Sequence, residues 1–582
     1  MNLAAEPSPF GGSVISHCVT PPRSDVSLDR RTLLVAGAAG AAGAGALSLA
    51  TAGAADAAAS GYFQHGVASG DPHPDSVVLW TRLTPTAAAT PGSGLGPAAE
   101  VRWEVARDGR FRQVVAGGRF ATDAGRDHTV KLEAGGLDPS TSYFYRFLYK
   151  GTASRTGRTR TAPAPADSPA NLRFGIVSCA NLQAGWFSAY RHLAARDDLD
   201  AVIHLGDYVY EYAPGQYGYG RSNLDIRPHE PAREMVELAD YRQRHAQYKR
   251  DADLQALHAK TPFIVTWDDH EVTNDAWRAG AENHQPEEGD YLARRERAHR
   301  AFDEWMPVRM GSTVALGDGT ALYRRLQFGA LAELSMLDLR TYRDQQASQP
   351  AAPVPSTDGG VSDPDRTITG DAQMEWLKSS LAGDRSQWKL VGNPVMIAPV
   401  VFPPLPADLT RSINDVTGLL PEDGLPYNVD QWDGYTADRR EVLGFLADNG
   451  ITDTVFLTGD IHSGWACDLP LDAGTYPASP SVATEFVGTS VTSNNLDDMT
   501  GSPPRTSSIT VETAIMAANR HVKYLNFDDH GYSVLDVTSA RTQMDYYAIG
   551  DRADRSAGSS WTASWATDAT SQKVHPVDGP VA

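Results

Sequence analysis

The chain has 582 residues, several times the usual length of one domain, so two or three domains are expected. Hydrophobic residues make up 41% and charged residues 21% of the chain, as in ordinary globular proteins. The formal net charge of −21 disfavours a general nucleic-acid or anionic-membrane surface, because the field of the protein would repel both. No stable nucleic-acid partner is therefore expected, whereas an acidic chain can collect divalent cations.

The N-terminal segment, residues 1–59, has the features of an export signal. Asp29-Arg30-Arg31-Thr32-Leu33-Leu34 precedes a run of Ala, Gly, Leu and Val, and Ala55-Asp56-Ala57 resembles a cleavage site. A run rich in Ala and Gly is a weak membrane anchor, so cleavage is favoured over a retained transmembrane helix. We therefore expect the twin-arginine export machinery as a partner and a secreted mature protein, either extracellular or associated with the cell wall. Proteins exported in the folded state often carry an inserted metal or cofactor.

The cysteines give little sign of a disulfide framework. Cys18 lies in the predicted signal, so the mature chain has two cysteines, Cys179 and Cys467. A disulfide between them is one option in an exported protein, but two cysteines in so long a chain do not make a framework. Cys467 is otherwise expected to be a small buried hydrophobic residue.

Residues 60–163 have the pattern of a β-sandwich. Val101, Trp103 and Val105 alternate with polar residues, and so do the aromatic residues of 143–149, which is the period of a half-buried strand. The phrase from Gly136 to Tyr143 resembles the corner before a late strand of fibronectin-III-like sandwiches. A Pro- and Ala-rich linker over 161–170 separates this domain from the rest.

From residue 171 to about residue 550, short apolar runs alternate with helical patterns, which predicts an α/β or α+β layered domain with a sheet flanked by helices. A segment rich in Pro, Asp and Gly over 405–435 is typical of a long surface excursion, and residues 551–582 are assigned to a C-terminal tail. The predicted strands are 172–177, 201–205, 262–266, 332–337, 390–396 and 452–457, and the predicted helices lie near 185–196, 237–260, 290–306 and 371–382.

Polar side chains follow five of these apolar runs. In open α/β sheets ligands bind outside the carboxyl ends of the strands, because loops from different strands converge there. A thiol, carboxylates, phenols, histidines and arginines are therefore predicted to face one small volume. The five endings are Ser178-Cys179-Ala180-Asn181, Gly206-Asp207-Tyr208-Val209-Tyr210, Trp267-Asp268-Asp269-His270-Glu271, Asp338-Leu339-Arg340-Thr341-Tyr342-Arg343 and Gly459-Asp460-Ile461-His462.

These endings predict a site with two metal ions. A single Gly-Asp after a strand is more often a turn in which the Asp side chain bonds its own backbone, and Asp268-Asp269 can cap a helix. Five such endings in series are harder to explain in that way. Clustered carboxylates raise each other's pKa unless cations share the site. Carboxylate, phenolate, imidazole and thiolate ligands suit a trivalent iron, and oxygen-only ligands suit Ca²⁺, Mn²⁺ or Mg²⁺.

The set of motifs resembles a known superfamily. Gly-Asp-x-x-Tyr, a strand-end Asp-His-Glu and a final Gly-x-x-His are similar to the calcineurin-like metallophosphoesterases, and the Tyr of the first motif is the variant found in purple acid phosphatases. Ser178-Cys179 stands where the superfamily normally has Asp-x-His. The chain resembles the PhoD-like alkaline phosphatases in this replacement, in the endings at 267–271 and 337–343 and in the twin-arginine signal. The N-terminal sandwich fits as well, so the resemblance covers nearly the whole mature chain.

The resemblance implies a ligand set for Fe³⁺ and for one or two Ca²⁺. Asp207 would bridge the iron to the calcium side, where Asp460 replaces a His of the family motif, a change that favours a hard cation. Asn393 falls where related enzymes have a metal-binding His, and a plain turn residue is the alternative. The implied iron ligands are Cys179, Asp207, Tyr210 and His462, and the implied calcium-side residues are Asp269, Asn274 and Asp460.

The chemistry expected of such a site is hydrolysis of a phosphate ester. Two cations clamp the phosphate and lower the pKa of a shared water, which gives hydroxide or oxide for in-line attack. Arg340 or Arg343 would neutralise the equatorial oxygens as a bidentate donor, the alternative being a surface ion pair with Asp338 or Asp344. His270 would protonate the leaving oxygen or hold the phosphate, the alternative being a structural hydrogen bond.

The leading functional hypothesis is an exported, metal-dependent phosphomonoesterase, an alkaline phosphatase that acts on small phosphate esters. The alternative on the same centre is a phosphodiesterase, including a phospholipase-D-like enzyme that acts on phospholipids or other diesters. A remote alternative is a non-catalytic surface-binding protein in which the sandwich binds the ligand. The pocket rim would decide between monoester and diester, and 401–405 is the apolar candidate for it.

Overall fold

The structure, a computed structural model, describes residues 61–311, 321–347, 360–402, 404–406, 408–412 and 424–581. The predicted export signal, with Cys18, lies outside these residues, as does much of the predicted excursion at 405–435. No helix in the described ranges combines the length and the apolar composition that crossing a membrane requires.

The N-terminal strands confirm the predicted sandwich. Val101 and Val105 from one strand and Tyr143, Tyr145 and Phe147 from another are buried in its core, as their alternation with polar residues predicts. The strands are β1 (Val67–Gly70), β2 (Ser76–Arg82), β3 (Ala99–Ala106), β4 (Val114–Thr122), β5 (Thr129–Gly135), β6 (Ser142–Tyr149), β7 (Thr152–Ala153) and β8 (Gly157–Arg160).

The larger domain contains two mixed sheets. The strands of the first sheet that belong to this domain are β9 (Asn171–Val177), β10 (Ala201–His204), β11 (Phe263–Val265), β21 (Gly531–Thr538), β22 (Arg541–Ile549), β23 (Ser559–Asp568) and β24 (Val574–Pro576). The strands of the second sheet are β12 (Arg324–Phe328), β13 (Ala332–Met336), β14 (Trp388–Asn393), β17 (Thr454–Thr458), β18 (Gly464–Pro470), β19 (Ser481–Val487) and β20 (Val522–Asn526), and a separate ribbon pairs β15 (Val401–Phe402) with β16 (Leu425–Pro426).

The helices are short. They are α1 (Ser188–Ala195), α2 (Leu238–Lys249), α3 (Ala252–Lys260), α4 (Tyr291–Trp305), α5 (Asp371–Gly383), α6 (Thr436–Asp448), α7 (Leu496–Thr500) and α8 (Ser507–Ala518), with 3-10 turns at Ala124–Arg126, Leu182–Ala184, Pro286–Glu288, Trp432–Gly434 and Ala473–Thr475. One helix predicted over 237–260 is therefore two, because Asp251 starts α3 by accepting hydrogen bonds from the N–H groups of Asp253 and Leu254.

The two sheets pack face to face, with helices on both outer surfaces. Phe174, Ile176 and Ile203 point from the first sheet into the inner core, where Leu390 and Leu457 of the second sheet meet them. The intervening residues of the same strands, such as Val177 and Val202, face the opposite core against α1 to α4. A second outer core covers the other sheet with α5, α6 and α8. The order of layers is thus helix, sheet, sheet, helix, which confirms the predicted layered domain.

The sandwich is joined to the first of these sheets. The order of the ten-stranded sheet is β24-β23-β22-β21-β9-β10-β11-β1-β2-β5, so one layer of the sandwich continues the sheet that carries the site. β1 pairs with β11 in parallel through Gly70 and Phe263. The other sandwich layer has the order β4-β3-β6-β7, with β8 paired to β6.

One assignment made from the sequence is corrected here, and one alternative that the sequence left open is decided. Residues 551–582 are not a tail, because β23 pairs with β22, β24 pairs with β23, and both extend the ten-stranded sheet. Cys179 and Cys467 are both buried free thiols and form no disulfide. Cys467 packs in the outer core of the second sheet, as a small hydrophobic residue does.

Candidate metal centre and active site

The predicted polar endings converge at the carboxyl ends of parallel strands. β9, β10 and β11 are parallel neighbours in the first sheet, and β13, β14 and β17 are parallel neighbours in the second. Four non-glycine residues at these ends have left-handed backbone conformations, which are uncommon and costly for residues other than glycine. They are Cys179 (φ 57°), Asp207 (φ 54°), Asp460 (φ 64°) and His462 (φ 54°).

Gly206 explains why a carboxylate can follow β10 directly. Its φ is 108°, and a Cβ at this position would lie 2.5 Å from the Cβ of Asp268 at the end of β11. Glu271 then joins the two strand ends, because its carboxylate accepts the N–H groups of Asp207 at 3.1 Å and Asp268 at 2.9 Å. Asp207 and Asp268 are thereby fixed side by side, and Glu271, to which the sequence analysis gave no role, positions both.

The four residues predicted to hold iron come together. Ligand atoms of Cys179, Asp207 and His462 all lie within 4.8 Å of one another. The hydroxyl of Tyr210 donates to Asp207 Oδ2 at 2.9 Å and lies 3.5 Å from His462 Nε2. We call these four residues the thiol–phenol half of the site.

The imidazole of His462 is oriented as a metal ligand. Its Nδ1 lies 2.7 Å from the carbonyl oxygen of Asn494, so Nδ1–H donates there and Nε2 keeps its lone pair toward Tyr210. Burial lowers the pKa of His462 to about 4, so the ring is neutral at physiological pH.

Burial has the opposite effect on the thiol and the phenol. It raises the pKa of Cys179 and the pKa of Tyr210 well above their ordinary values, and the charge of Asp207 adds to both shifts. Both groups are therefore protonated unless a cation draws the protons off, which is how thiolate and phenolate ligands arise at metals. The donor set of thiol, phenol, carboxylate and neutral imidazole fits a transition metal.

Carboxylates form the second part of the site, which we call the carboxylate half: Asp268, Asp269, Asp460 and Asp430. Ligand atoms of Asp268, Asp269 and Asp460 lie within 4.8 Å of one another, and a further group joins Asp207, Asp269 and His270 in the same way. Asp207 and Asp269 each belong to two groups, so two neighbouring cations could share them.

Two arginines neutralise this half. Arg340 donates from Nη2 to Asp268 Oδ2 at 3.0 Å and from Nη1 to Asp430 Oδ1 at 3.0 Å, and Arg343 also pairs with Asp430. Both guanidinium groups are buried, so the surface ion pairs considered from the sequence are wrong. Asp344 instead pairs with Arg278, and Asp338 accepts the backbone N–H of Arg340.

The pKa values of two carboxylates in this half shift in opposite directions. Burial, followed by the charge of Asp268, raises the pKa of Asp460 well above its usual range. Burial also opposes ionisation of Asp269, but the charges of Arg340 and His270 outweigh it and the pKa of Asp269 is lowered. Asp269 is therefore the carboxylate of this half that is most firmly ionised.

His270 is held by an acidic residue that the sequence analysis missed. Its Nδ1 lies 2.7 Å from Glu211 Oε2, and its ring stacks on Tyr210 with the centroids 4.1 Å apart. Burial opposes protonation of His270, but the charges of Glu211, Asp207 and Asp269 outweigh it and raise its pKa well above 6.5. His270 is thus an imidazolium at neutral pH and can donate a proton.

Two asparagines considered as ligands point elsewhere. The side-chain amide of Asn274 donates to Glu282 at 3.2 Å, and its backbone N–H donates to Glu211, so the structure does not bring this predicted ligand to the cations. Asn393 is buried, donates to Val395 O and Thr458 Oγ1, and accepts from Trp432 Nε1 at 3.0 Å. Both ends of its amide serve the fold, as the turn-residue alternative proposed.

A loop after β19, residues 489–495, supports the thiol–phenol half. The backbone N–H of Ser493 and that of Thr492 donate to the carbonyl of Cys179 at 3.2 and 3.3 Å, and the Ser493 hydroxyl lies 2.5 Å from the Tyr210 oxygen. The sequence did contain a signal, because Ser, Thr and Asn follow the apolar run of β19 just as polar residues follow the other strands.

Arg552 lies in the segment that was predicted to be a tail, and it holds this loop in place. Its guanidinium donates to Thr492 O, to Asn494 Oδ1 at 2.7 Å, and pairs with Asp498 at 2.6 Å. Asp498 also contacts His530 at 3.0 Å, which places His530 beside this loop. Nothing local in the sequence indicates this role for Arg552.

A cleft of about 740 Å³ opens over the carboxylate half. Asp460 and His462 lie in its floor, and Leu496, Met499 and Phe527 form an apolar wall. Val401 and Leu405, from the segment predicted to form the rim, line a separate cavity of about 100 Å³, and Pro403 lies outside the described residues.

The fold and this site define the class of metal-dependent phosphate-ester hydrolases. Residues 174–546 match the family model described as PhoD-like phosphatase, and residues 48–163 match the model of the N-terminal domain of the same family. The chain therefore belongs to the PhoD-like phosphatase family, and it is an enzyme rather than the non-catalytic binding protein considered as a remote alternative.

Individual relatives agree with the family match. Alkaline phosphatase D of Bacillus subtilis (strain 168) is 38% identical over 485 residues, which is 83% of this chain and 77% of that protein. A solved structure described as PhoD superposes with a TM-score of 0.77 at 35% identity and covers 89% of this chain and 93% of its own.

Proposed function

We propose that this phosphatase is an exported phosphomonoesterase whose thiol–phenol half binds Fe³⁺ and whose carboxylate half binds one or two Ca²⁺. The observation that carries the proposal is the sharing of Asp207. This carboxylate belongs both to the group with Cys179 and His462 and to the group with Asp269 and His270. A thiol, a phenol and a neutral imidazole on one side and only carboxylates on the other favour different cations.

The bound cations would supply Lewis acidity toward the phosphate oxygens and the attacking water. The protein contributes proton transfer and charge balance. His270, protonated and buried beside Asp207, gives its proton to the leaving ester oxygen as the P–O ester bond breaks and the bond from phosphorus to the oxygen of an incoming hydroxide forms. Glu211 keeps the imidazole of His270 oriented and favours its charged form through the 2.7 Å contact with Nδ1.

Arg340 and Arg343 are better suited to balancing the charge of the carboxylates than to binding the phosphate. Arg340 already contacts Asp268 and Asp430 and lies 3.6 Å from both Asp269 and Asp460. A phosphate in the cleft would have to share this guanidinium with four carboxylates. We infer that the arginines hold the carboxylates in place and reach the equatorial phosphate oxygens only by giving up one of these contacts.

A phosphodiesterase, including one with phospholipase-D-like activity, is the second candidate. The cleft volume of about 740 Å³ and the wall of Leu496, Met499 and Phe527 leave room for a second, apolar substituent on phosphorus. The deciding measurement is kcat/KM for 4-nitrophenyl phosphate against bis(4-nitrophenyl) phosphate on iron-replete enzyme with calcium at alkaline pH. A strong monoester preference is expected, and a diester preference would overturn the monoesterase assignment.

We also propose that the protein is secreted through the twin-arginine export machinery, as the Arg30-Arg31 motif before an Ala/Gly-rich run supports. Replacing both arginines by lysine should leave the precursor in the cytoplasm, as cell fractionation and immunoblotting would detect. Unchanged export of this double variant would contradict the route.

A further inference from the structure

Ser493 lies between two side chains of the thiol–phenol half. Its hydroxyl oxygen is 2.5 Å from the phenolic oxygen of Tyr210 and 3.0 Å from the carbonyl oxygen of Cys179. The side chain is fully buried, so water does not compete for its proton. A hydroxyl has one proton and can donate to only one of these two oxygens at a time.

The neighbouring contacts decide which oxygen receives the proton. The carbonyl of Cys179 already accepts the backbone N–H groups of Thr492 and Ser493. Both lone pairs of that oxygen are therefore in use. The phenolic oxygen of Tyr210 has as its other contacts Asp207, to which it donates, and His462 at 3.5 Å. Ser493 is thus the donor nearest to the phenolic oxygen among the described hydrogen bonds.

Ionisation of Tyr210 strengthens this arrangement. A phenolate has no proton to give to Asp207 and becomes an anionic acceptor, and hydrogen bonds to an ionised acceptor are about twice as strong as neutral ones. The loop that carries Ser493 is rigidly held, because the Ser490 hydroxyl donates to the Ser493 carbonyl at 2.8 Å and Arg552 holds both neighbouring residues, Thr492 and Asn494. The hydroxyl therefore stays in place when the charge of Tyr210 changes.

We propose that Ser493 is a positioning residue that donates a hydrogen bond to the Tyr210 phenolate and so tunes how strongly this ligand donates electrons to its metal. The inference rests on the proposed function, which gives the thiol–phenol half a ferric ion. A hydrogen bond to the phenolate lowers the energy of its outermost electrons. Removing the bond should move the tyrosinate-to-iron absorption to longer wavelength and weaken iron affinity by ~10- to 100-fold, the usual effect of losing an outer-shell partner.

The test compares absorption spectra and iron content of the purified full-length enzyme and four variants. Tyr210→Phe identifies the band by abolishing it. Ser493→Ala is expected to shift the band to longer wavelength, and Ser493→Thr, which keeps a hydroxyl, is expected to restore its position. Thr489→Val is the matched control, because it removes a hydroxyl from the same loop that donates to the Asp529 carbonyl and contacts neither Ser493 nor Tyr210.

Each outcome of this comparison supports or overturns the inference. An unshifted band in Ser493→Ala at equal iron content, or an equal shift in Thr489→Val, would overturn the role of Ser493 while leaving the proposed centre intact. Absence of the band in the wild type, or its survival in Tyr210→Phe, would overturn the centre and the inference together. If Ser493→Ala does not accumulate, Ser493→Cys, a weaker donor, should give a smaller shift in the same direction, and no shift would be contradictory.

Discussion

The two halves of the site differ in how the charges of their side chains are balanced. The thiol–phenol half is supported by hydroxyl and backbone groups of the loop at 489–495, and within the described residues Asp207 forms no ion pair with lysine or arginine. The carboxylate half contains its own counter-charges, because Arg340 and Arg343 are paired with Asp268 and Asp430. One half therefore needs a cation to become ionised, whereas the charge of the other half is already partly neutralised by arginine.

This difference predicts how each half behaves when its cation is lost. Without a cation, Cys179 and Tyr210 retain their protons, and the half becomes a neutral, hydrogen-bonded pocket. The carboxylate half would keep its shape, since its guanidinium pairs do not depend on an added ion. Exchangeable binding is thus expected on the carboxylate side, and tight binding coupled to proton release on the other.

Substituting Asp207 gives the strongest test of the comparison between the two halves, because this residue belongs to both. Asp207→Asn should reduce kcat/KM by more than the ~100-fold that follows loss of an outer hydrogen-bond partner, and should lower the content of both metals. Activity and elemental analysis check this. Asp344→Asn, which alters a carboxylate paired with Arg278 outside both halves, is the matched control. Loss of only one metal in Asp207→Asn would contradict the shared-ligand model.

His270 tests whether proton donation or metal binding dominates on the carboxylate side. His270→Gln should lower kcat by ~10²- to 10⁴-fold and should affect phenyl phosphate more than 4-nitrophenyl phosphate, because the poorer leaving group needs the proton more. Glu211→Gln should give a smaller effect of the same kind. An equal loss for both substrates accompanied by loss of metal would show that His270 is a ligand instead.

Much of this site could be predicted from the sequence because each ligand follows an apolar run. The ends of β9, β10, β11 and β17 were visible as polar residues after buried strands, and Cys179, Asp207, Tyr210 and His462 do meet. The predicted β-sandwich and the helix-flanked layers are also present.

The rest depends on pairing across long separations in sequence. Strands of the first and second sheets are alike in being mostly buried apolar runs, so only pairings such as β21 with β9 reveal which sheet a strand joins. Arg552 reaches the loop at 489–495 only because its segment joins the strands of the first sheet. The error at Asn274 has a local cause, since the spacing from Asp269 does not say that its amide turns toward Glu282.

Substituting Arg552 should weaken metal binding in the thiol–phenol half and leave metal binding in the carboxylate half unchanged. Arg552→Lys keeps the charge but loses the planar fork that contacts Thr492, Asn494 and Asp498 together. Iron affinity should fall by ~10- to 100-fold while calcium affinity is unchanged, as measured by metal titration. Arg555→Lys, which alters an arginine stacked on Trp186, is the control. Equal weakening of both metals would contradict the separation of the halves.

The smallest expected effect concerns the stability of the protein at acid pH and involves a buried histidine. His245 is buried against Tyr208 with neither ring nitrogen hydrogen-bonded, and burial lowers its pKa to about 3 from 6.5. The unfolded chain therefore binds more protons between pH 3 and 6.5, so the free energy of unfolding falls as the pH is lowered through this window.

His245→Phe should make this fall shallower by up to ~1.4 kcal/mol per pH unit, because phenylalanine takes up no proton on unfolding. Denaturant unfolding at successive pH values, with the metals removed, gives the slope for the wild type and the variant. Identical slopes would mean that His245 is not neutral in the folded protein.

The central claim, that the two halves hold different cations, is tested most directly by treating the native enzyme with EGTA and following three quantities together. Activity should be lost and should return on adding Ca²⁺, while iron content and the tyrosinate band remain unchanged throughout. Full activity in excess EGTA, or release of iron in parallel with the loss of activity, would contradict the account.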